Sequence, residues 1–324
     1  MDTCITVWQW PDDERWYDEG IKRSLRLISE AGFTHINWNP DSGNSYMLSD
    51  AEIAFTAEMV RASGLKVKSV HGTNGRNPIS EVQWRKDRRV GRETRRDILS
   101  SHEWQRQSGV ELVRNRVDLA AAFGSPDIVM HIDITDDVFR SREAEEAFFA
   151  PLWTSLEELQ PYCLKKGVKI AAETLFCASS ESFLLLYDRL FDRFPEEFIG
   201  LCLDTGHWEM IDPGACTVLE QFGDRLITTH INDNFGATDD HLLPFDGRID
   251  WELVTRLIAG TRYEPPLNLE THIDRYSMPE AAFYRRAHKV AIRLEELIAA
   301  NRTKDATPSA RKESVALHDA RLAN

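Results

Sequence analysis

Short apolar runs alternate along the chain with longer segments in which apolar side chains recur every three or four positions. Short runs bounded by turn residues are typical of buried strands, and the longer spacing is typical of amphipathic helices. The pattern predicts eight strands, at residues 4–8, 33–38, 65–70, 127–132, 168–173, 198–204, 225–231 and 266–270.

Helical segments are predicted after the strands, near residues 18–31, 50–63, 104–123, 143–166, 180–194, 214–221, 250–259 and 279–299. The last segment is the clearest, because its apolar residues form one continuous helix face, namely Phe283, Ala287, Val290, Ala291, Leu294, Leu297 and Ile298. Eight strand–helix units in succession predict an α/β fold, the (β/α)8 TIM barrel. A doubly wound sheet is the alternative, but no glycine-rich phosphate-binding loop follows the first strand.

The predicted barrel occupies residues 1–299, with a long insertion at 72–103 after the third strand and a polar C-terminal tail at 300–324. Residues 72–116 contain 11 Lys and Arg against 6 Asp and Glu, although the whole chain is acidic. Long loops at the C-terminal face of a barrel usually cover the active site, so we expect the insertion to act as a lid. A solvated charged helix explains the same composition equally well.

The formal net charge of -14 argues against nucleic acids and anionic membranes as partners, because binding to polyanions depends on Lys and Arg. The five cysteines include no C-x-x-C pair, which is typical of reduced thiols rather than of a disulfide framework. The N-terminus has no signal-peptide pattern, and no apolar run approaches the ~20 residues that span a bilayer. We therefore expect a cytoplasmic protein.

Four acidic or histidine residues each end a predicted strand: Glu173, Asp204, His230 and Glu270. In a parallel barrel the C-terminal ends of the strands lie at one face, so these four side chains would converge there. Charged groups are costly to bury together unless a cation compensates them. The sequence therefore predicts one divalent-metal site built from three carboxylates and one imidazole.

Other polar residues occur where the same face would lie. His71 and His131 are at the ends of the third and fourth strands, and His207, Asp239 and His241 are in the loops after the sixth and seventh. We expect them to line the substrate pocket. Simpler roles are open for each: hydrogen-bonded core histidines, a helix cap, or a loop ordered by its own hydrogen bonds.

Nine tryptophans are present, and most are expected in the core. Trp38 ends the second strand, so its ring is a candidate wall on which a sugar ring packs. This makes Trp38 a predicted substrate-binding residue.

The motifs IAAET, LCLDTGH, THINDNFGATDDHLLPFDGRIDW and LNLET resemble those of the xylose-isomerase-like TIM barrels. That superfamily includes sugar phosphate isomerases and epimerases and is related to endonuclease IV. The resemblance spans residues 4–299 and implies a divalent cation held by Glu173, Asp204, His230 and Glu270. It also implies that Glu173 and Glu270 act as an acid/base pair, and that His207 binds a substrate oxygen.

These features predict a metal-dependent isomerase or epimerase that acts on a small keto sugar or polyol through an enediolate. The ligand types suit Mn²⁺ first, with Mg²⁺, Co²⁺ and Zn²⁺ as alternatives. Residues 244–247, Pro-Phe-Asp-Gly, replace the Pro-Gly-Glu-Gly of many relatives, so the substrate itself stays open.

Two other activities fit the same residues. A dehydratase or lyase would use the site for elimination from an oxidised sugar or glycoside. Some relatives of that kind work with a small partner subunit, so this chain could be one subunit of such a complex. Assembly into a homo-oligomer is a further alternative. An endonuclease IV-like phosphodiesterase with three zincs would use a larger set of ligands, whose types match in order at His71, His131, Glu173, Asp204, His207, His230, Asp239, His241 and Glu270. The acidic net charge argues against this second alternative.

Overall fold

The computed structural model describes residues 1–8, 17–41, 46–74 and 96–305. Eight parallel strands form one sheet in these residues: β1 (Cys4–Val7), β2 (His35–Trp38), β3 (Lys66–Asn74), β4 (Asp127–His131), β5 (Lys169–Glu173), β6 (Ile199–Asp204), β7 (Leu226–His230) and β8 (Asn268–Leu269). Consecutive strands are neighbours from β1 to β7, and β8 returns to pair with β1.

The sheet curls until β7 meets β8. The amide of Ile231 donates to the carbonyl of Asn268 at 2.8 Å, and the amide of Glu270 donates to the carbonyl of Ile231 at 3.0 Å. These two bonds complete a barrel of eight parallel strands, and the predicted (β/α)8 fold is confirmed.

Helices cover the outside of the barrel. Those in the described residues are α1 (Tyr17–Ala31), α2 (Asp50–Ala62), α3 (Glu103–Phe123), α4 (Arg142–Lys166), α5 (Ser180–Arg193), α6 (Thr205–Ile211), α7 (Thr217–Phe222), α8 (Trp251–Ala259) and α9 (Glu280–Asp305). Short 3-10 turns occur at Asp136–Arg140, Gly223–Arg225 and Ile273–Arg275. No described helix combines the length and the apolar character that crossing a bilayer requires.

Local sequence signals fix where the helices begin and end. Ser49 and Glu52 form a capping box at the start of α2, and Ser141 and Ser179 accept backbone hydrogen bonds at the starts of α4 and α5. Gly124 follows α3 with a φ of 72°, a left-handed conformation that favours glycine. The serine caps therefore mark where α2, α4 and α5 begin, and Gly124 marks where α3 ends before β4.

The apolar core lies mainly between the strands and the helices. The inside of the barrel holds a small apolar group, Val129, Ala171 and Cys202, each fully buried. Elsewhere the interior is polar, with fully buried Thr6, Asn37 and Asn268. This polar interior lies directly below the residues that form the candidate site.

Some element boundaries differ from the predicted ones. Helix α6 follows β6 immediately and was not predicted, because seven residues are too few to show a helical repeat. Helix α9 continues to Asp305, past the predicted barrel end at 299, and β3 continues to Asn74, into the predicted insertion. The remainder of the predicted tail, 306–324, and residues 75–95 of the predicted lid lie outside the described residues.

Candidate functional site

The four predicted metal ligands converge at the C-terminal end of the barrel. Glu173, Asp204 and His230 are the last residues of β5, β6 and β7, and Glu270 directly follows β8. One ligand atom from each lies within 4.8 Å of the others, and all four side chains are buried. The consecutive parallel strands bring together residues that are nearly a hundred positions apart in sequence.

His230 is at the centre of this cluster. Its Nδ1 lies 2.9 Å from Glu173 Oε1 and 3.0 Å from Glu270 Oε2. Burial opposes a charge on the ring, but the two carboxylates outweigh it and raise the pKa of His230 well above 6.5. Burial likewise opposes ionisation of Glu270, and the nearby His230 still lowers the pKa of that carboxyl to about 2. Burial also opposes ionisation of Glu173, but His230 and His131 lower its pKa well below 4.5, so both glutamates are held as carboxylates.

Asp204 is positioned by the start of helix α6 and by the loop after β7. Its Oδ1 accepts the backbone N–H of His207 at 2.8 Å, and the amide nitrogen of Asn232 donates to both carboxyl oxygens at 3.1 and 3.0 Å. Burial raises the pKa of Asp204 to about 7. The two donors fix the direction in which the carboxylate faces its neighbours.

The donor set fits a divalent cation. Glu173, Asp204 and Glu270 bring three acidic groups into one buried cluster, and a cation would offset the cost of burying their charges together. Three carboxylates and one imidazole form an oxygen-rich site of the kind that Mn²⁺, Mg²⁺, Co²⁺ and Zn²⁺ accept. Glu173, Asp204, His230 and Glu270 are thus the residues that could hold the ion.

A second group lies beside the first. Asp239 Oδ2 bridges His207 Nε2 at 3.3 Å and His241 Nε2 at 3.0 Å, and the ligand atoms of the three residues are also close enough to hold a cation. Burial opposes charge on both rings, but the neighbouring carboxylates raise the pKa of His207 to about 10 and that of His241 to about 9. The other nitrogen of each ring contacts a backbone carbonyl oxygen. His207 Nδ1 lies 2.9 Å from Thr174 O, and His241 Nδ1 lies 2.9 Å from Glu270 O.

His71 and His131 are on the Glu173 side of the site. His131 Nε2 lies 2.8 Å from Glu173 Oε2, and His71 Nε2 lies 3.6 Å from the same oxygen. Burial lowers the pKa of His71 to about 3, so its ring is neutral at pH 7. The two histidines were predicted to line a pocket, and the structure places both against the candidate ligand Glu173.

Trp38 does not lie where a substrate-binding residue is needed. It is fully buried, its Nε1 donates to Asp41 Oδ2 at 2.8 Å, and its ring packs against Phe123 of helix α3 at 5.1 Å between centroids. Its neighbour Asn37 faces the barrel interior instead, because successive strand residues point to opposite faces. The prediction that Trp38 forms a wall for substrate is contradicted by this placement.

Several residues at the site were not predicted. His272 stacks on His241 with 4.3 Å between ring centroids, and Trp8 packs edge-on against His272 at 4.4 Å. Phe176 is 42% exposed, and its ring lies 4.9 Å from that of His207, so an apolar face borders the histidines. Phe176 and His272 each lie three positions after the last residue of a strand. This position is the sequence signal that could have identified them.

The fold and this cluster of buried carboxylates and histidines define a TIM barrel with a candidate divalent-metal site at the C-terminal ends of its strands. The chain belongs to the family of xylose isomerase-like TIM barrels, whose sequence model matches residues 25–294. This family was predicted from the sequence motifs, and the prediction is confirmed.

The protein y4fM of Sinorhizobium fredii is 58% identical over 306 residues, which cover 94% of this chain and 98% of that protein. More distant solved structures share the fold. A D-tagatose 3-epimerase-like protein has a TM-score of 0.64 at 19% identity, with 94% of this chain and 100% of the other covered. An L-ribulose 3-epimerase has a TM-score of 0.65 at 15% identity, with coverage of 95% and 99%. An IolI protein with a bound zinc has a TM-score of 0.63 at 16% identity, with coverage of 93% and 99%.

Proposed function

We propose that this protein is a divalent-metal-dependent isomerase or epimerase that acts on a small keto sugar or polyol. One observation carries the proposal. Glu173 and Glu270 come from different strands, and both place a carboxylate oxygen within 3.0 Å of the same nitrogen of His230, in a buried cluster. Two ionised carboxylates next to one candidate cation position suit a reaction that removes a proton and returns it.

The cation would be held by Glu173, Asp204, His230 and Glu270, with Mn²⁺ the first choice. When bound, it supplies a Lewis acid that stabilises negative charge on the substrate oxygens as an enediolate forms. The buried surroundings strengthen that interaction, because charges attract more strongly away from water.

The glutamates transfer the proton. One carboxylate takes the proton from the carbon next to the carbonyl and becomes a carboxylic acid. Return of that proton to the neighbouring carbon, with the hydroxyl proton moving to the former carbonyl oxygen, gives isomerisation. Epimerisation requires the other glutamate to have taken a proton from water first, which it then gives to the opposite face of the same carbon. His131 and His71 lie against Glu173, and His131 stabilises the ionised form of that carboxyl together with His230.

The second group binds and orients the substrate. The raised pKa values of His207 and His241 keep both rings charged near neutral pH. Their Nε2–H groups contact Asp239, and a substrate hydroxyl or carbonyl oxygen would share these donors with that carboxylate. The exposed face of Phe176 offers an apolar surface beside His207 on which a sugar ring can pack. A small carbohydrate matches this mixture of donors and apolar surface.

The similar solved structures support the same substrate class, since two of those named above are sugar epimerases or epimerase-like proteins and a third binds zinc. The similar solved structures named above lend no support to elimination.

Phosphodiester hydrolysis with several cations stays a second candidate because of one observation. Two further groups of metal-ligating residues lie next to the four candidate ligands. One is formed by His207, Asp239 and His241. The other is formed by His71 with Glu173 and His230, which also belong to the four. Two or three zinc ions for each chain would favour this candidate, and abasic duplex DNA would then be the substrate to assay.

Solvent isotope exchange tests the isomerase proposal directly. Mn²⁺-loaded protein incubated with keto sugars in D2O should exchange the proton next to the carbonyl, as followed by NMR. We expect Glu270→Gln to lower the exchange rate at least about 100-fold, because one acid/base group is lost. Glu296→Gln, an identical change at an exposed position of α9, is the control. Near-normal exchange by the Glu270 variant would exclude the assigned role.

A further inference from the structure

A row of four side chains crosses the barrel interior beneath His230. His230 Nε2 lies 3.5 Å from Asn37 Nδ2, and that nitrogen lies 3.3 Å from Thr6 Oγ1. Asn268 Nδ2 donates to Thr6 Oγ1 at 3.2 Å, and Cys4 Sγ lies 3.4 Å from Asn268 Oδ1. All five residues are fully buried, so water does not compete for these contacts.

The amide of Asn37 is oriented so that one of its atoms has no partner. Asn37 Oδ1 is buried without a hydrogen bond within the residues that the structure describes, while Nδ2 has two polar neighbours. The oxygen and nitrogen of an amide have nearly the same shape, and their assignment depends on the hydrogen-bond network. A half-turn of the amide places Oδ1 where Nδ2 stands, next to His230 and Thr6.

The chemistry of His230 decides between the two orientations. Its Nδ1 faces the carboxylates of Glu173 and Glu270, so this nitrogen is the one that can bind a cation. A ring that coordinates through Nδ1 carries its hydrogen on Nε2. That N–H would face the NH2 group of Asn37 in one orientation and the carbonyl oxygen in the other. Only the oxygen can accept the hydrogen bond.

We propose that Asn37 is a positioning residue that accepts the Nε2–H of His230 and so holds the lone pair of Nδ1 toward the cation. The inference rests on the proposed metal site and assigns a role to a residue outside it. A histidine ligand commonly donates its other N–H to a nearby acceptor, which fixes the orientation of the ring.

The rest of the row then has one consistent direction. Thr6 donates its hydroxyl hydrogen to Asn37 Oδ1 and accepts from Asn268 Nδ2 at 3.2 Å. Asn268 Oδ1 in turn accepts from the thiol of Cys4 at 3.4 Å. The buried oxygen of Asn37 gains two donors instead of none, while its NH2 group takes the position that the oxygen occupied. Strands β8, β1 and β2 thereby support a ligand that β7 carries.

Cation affinity tests the inference without any assay of turnover. Mn²⁺ titration of the full chain, followed by calorimetry, should show a dissociation constant about 10- to 100-fold higher for Asn37→Leu than for the wild type. Asn37→Asp keeps an acceptor of the same shape and should bind Mn²⁺ more tightly than Asn37→Leu. Val129→Ala, which removes volume from another part of the barrel interior, should bind as the wild type does. Equal affinity of the wild type and Asn37→Leu would overturn the inference.

Nitrogen-15 NMR of histidine-labelled wild type gives an answer even if Asn37→Leu does not fold. In the Zn²⁺-loaded protein the signal of His230 should show hydrogen on Nε2, with a slowly exchanging N–H. An Nε2 without hydrogen would overturn the role of Asn37. A wild type that binds no cation would reject the proposed function as well, whereas tight binding by both wild type and Asn37→Leu would reject only the inference.

Discussion

Asp239 is a single carboxylate shared by two imidazoles. Its Oδ2 lies 3.3 Å from His207 Nε2 and 3.0 Å from His241 Nε2. Burial alone would raise its pKa, but hydrogen bonds to His207 and His241 hold the pKa of this carboxyl well below 3.8. This negative charge therefore helps to keep both histidines protonated at neutral pH, together with Asp204 for both rings and Glu270 for His241.

Removal of that charge should lower both histidine pKa values. In the metal-free protein with chelator, we expect Asp239→Asn to move the titration midpoints of His207 and His241 from about 10 and about 9 toward 6.5, by at least about one unit each. NMR titration of histidine-labelled protein measures the change. Asp240→Asn is the control, since Asp240 hydrogen-bonds to Thr238 instead. Unchanged midpoints would contradict the shared-charge interpretation.

The residues that the sequence identified and those that it missed differ in chemical type. Glu173, Asp204 and Glu270 at buried strand ends are conspicuous because ionised groups are rarely buried without a partner. Asn37 gives no such signal, since a neutral amide in a strand is common. Trp38 was misassigned because strands covered on both faces have no polar–apolar alternation that shows which side chains point inward.

At the scale of elements, helix α6 begins without any loop after β6, so its first turn packs tightly against the segment after β7. A Cβ atom at Gly206 would lie only 1.9 Å from Asn232 Oδ1. Asn232 in turn donates to both oxygens of Asp204. The glycine therefore allows the amide to reach the candidate ligand.

Gly206→Ala should displace Asn232 and loosen Asp204. We expect the dissociation constant for Mn²⁺ to rise about 10- to 100-fold, because the partner that orients a ligand is lost. Calorimetric titration measures it, with circular dichroism to confirm the fold. Gly260→Ala is the matched control, since its new methyl would meet Leu257 O at 3.4 Å and Arg256 O at 3.9 Å, both ordinary contacts. If the Gly206 variant binds Mn²⁺ as tightly as the wild type, displacement of Asn232 does not affect Asp204 as a ligand, and the prediction is wrong.

The starts of β3 and β4 are joined by a hydrogen bond from Ser69 Oγ to Asp127 Oδ1. Burial raises the pKa of Asp127 from 3.8 to about 6, so the folded protein binds this proton more tightly than the unfolded chain does. The resulting stabilisation is complete below about pH 4 and is lost as pH rises through about 6.

Asp127→Asn should remove this dependence, because the amide stays neutral at every pH. Relative to the variant, the wild type should lose up to about 3 kcal/mol of unfolding free energy between about pH 4 and pH 7. Urea unfolding of both proteins across that range measures the difference, in which the other titrating groups cancel. A constant difference between the two proteins would show that folding does not change the pKa of Asp127.

The elements themselves could be predicted because their pattern repeats. All eight strands were located, since each is a short apolar run between turn residues, and the long helices were located by their apolar faces. Helix α6 has seven residues and strand β8 has two, which is too short for a repeating pattern to set their bounds, so these depend on tertiary contacts.

At the scale of the whole molecule, the barrel is closed by its shortest strand. Strand β8 contains only Asn268 and Leu269, and its contact with β7 rests on the backbone of Ile231. Glu270 follows directly and meets His230 across this junction at 3.0 Å. A cation bound to both side chains would therefore link β7 to the residue after β8 and stabilise the closure of the barrel.

Cation binding should stabilise the whole fold. With Mn²⁺ at about 100 times its dissociation constant, we expect about 2.7 kcal/mol of added stability, because the ligands are assembled only in the folded state. Calorimetry should show a higher Tm, and hydrogen exchange should slow at the amides of Ile231 and Glu270. The Glu270→Gln variant should lose most of the gain. An identical Tm with and without Mn²⁺ would count against the site.

The four candidate ligands all belong to the second half of the chain, on β5 to β8, whereas β2, β3 and β4 contribute Asn37, His71 and His131. Recombination between related genes at a point within α4 would exchange the first half and leave every ligand in place. Descendants of such an event would inherit the reaction from one parent and part of the substrate pocket from the other. In this barrel, the side of the pocket formed by His71 and His131 can therefore change while all four candidate ligands are kept.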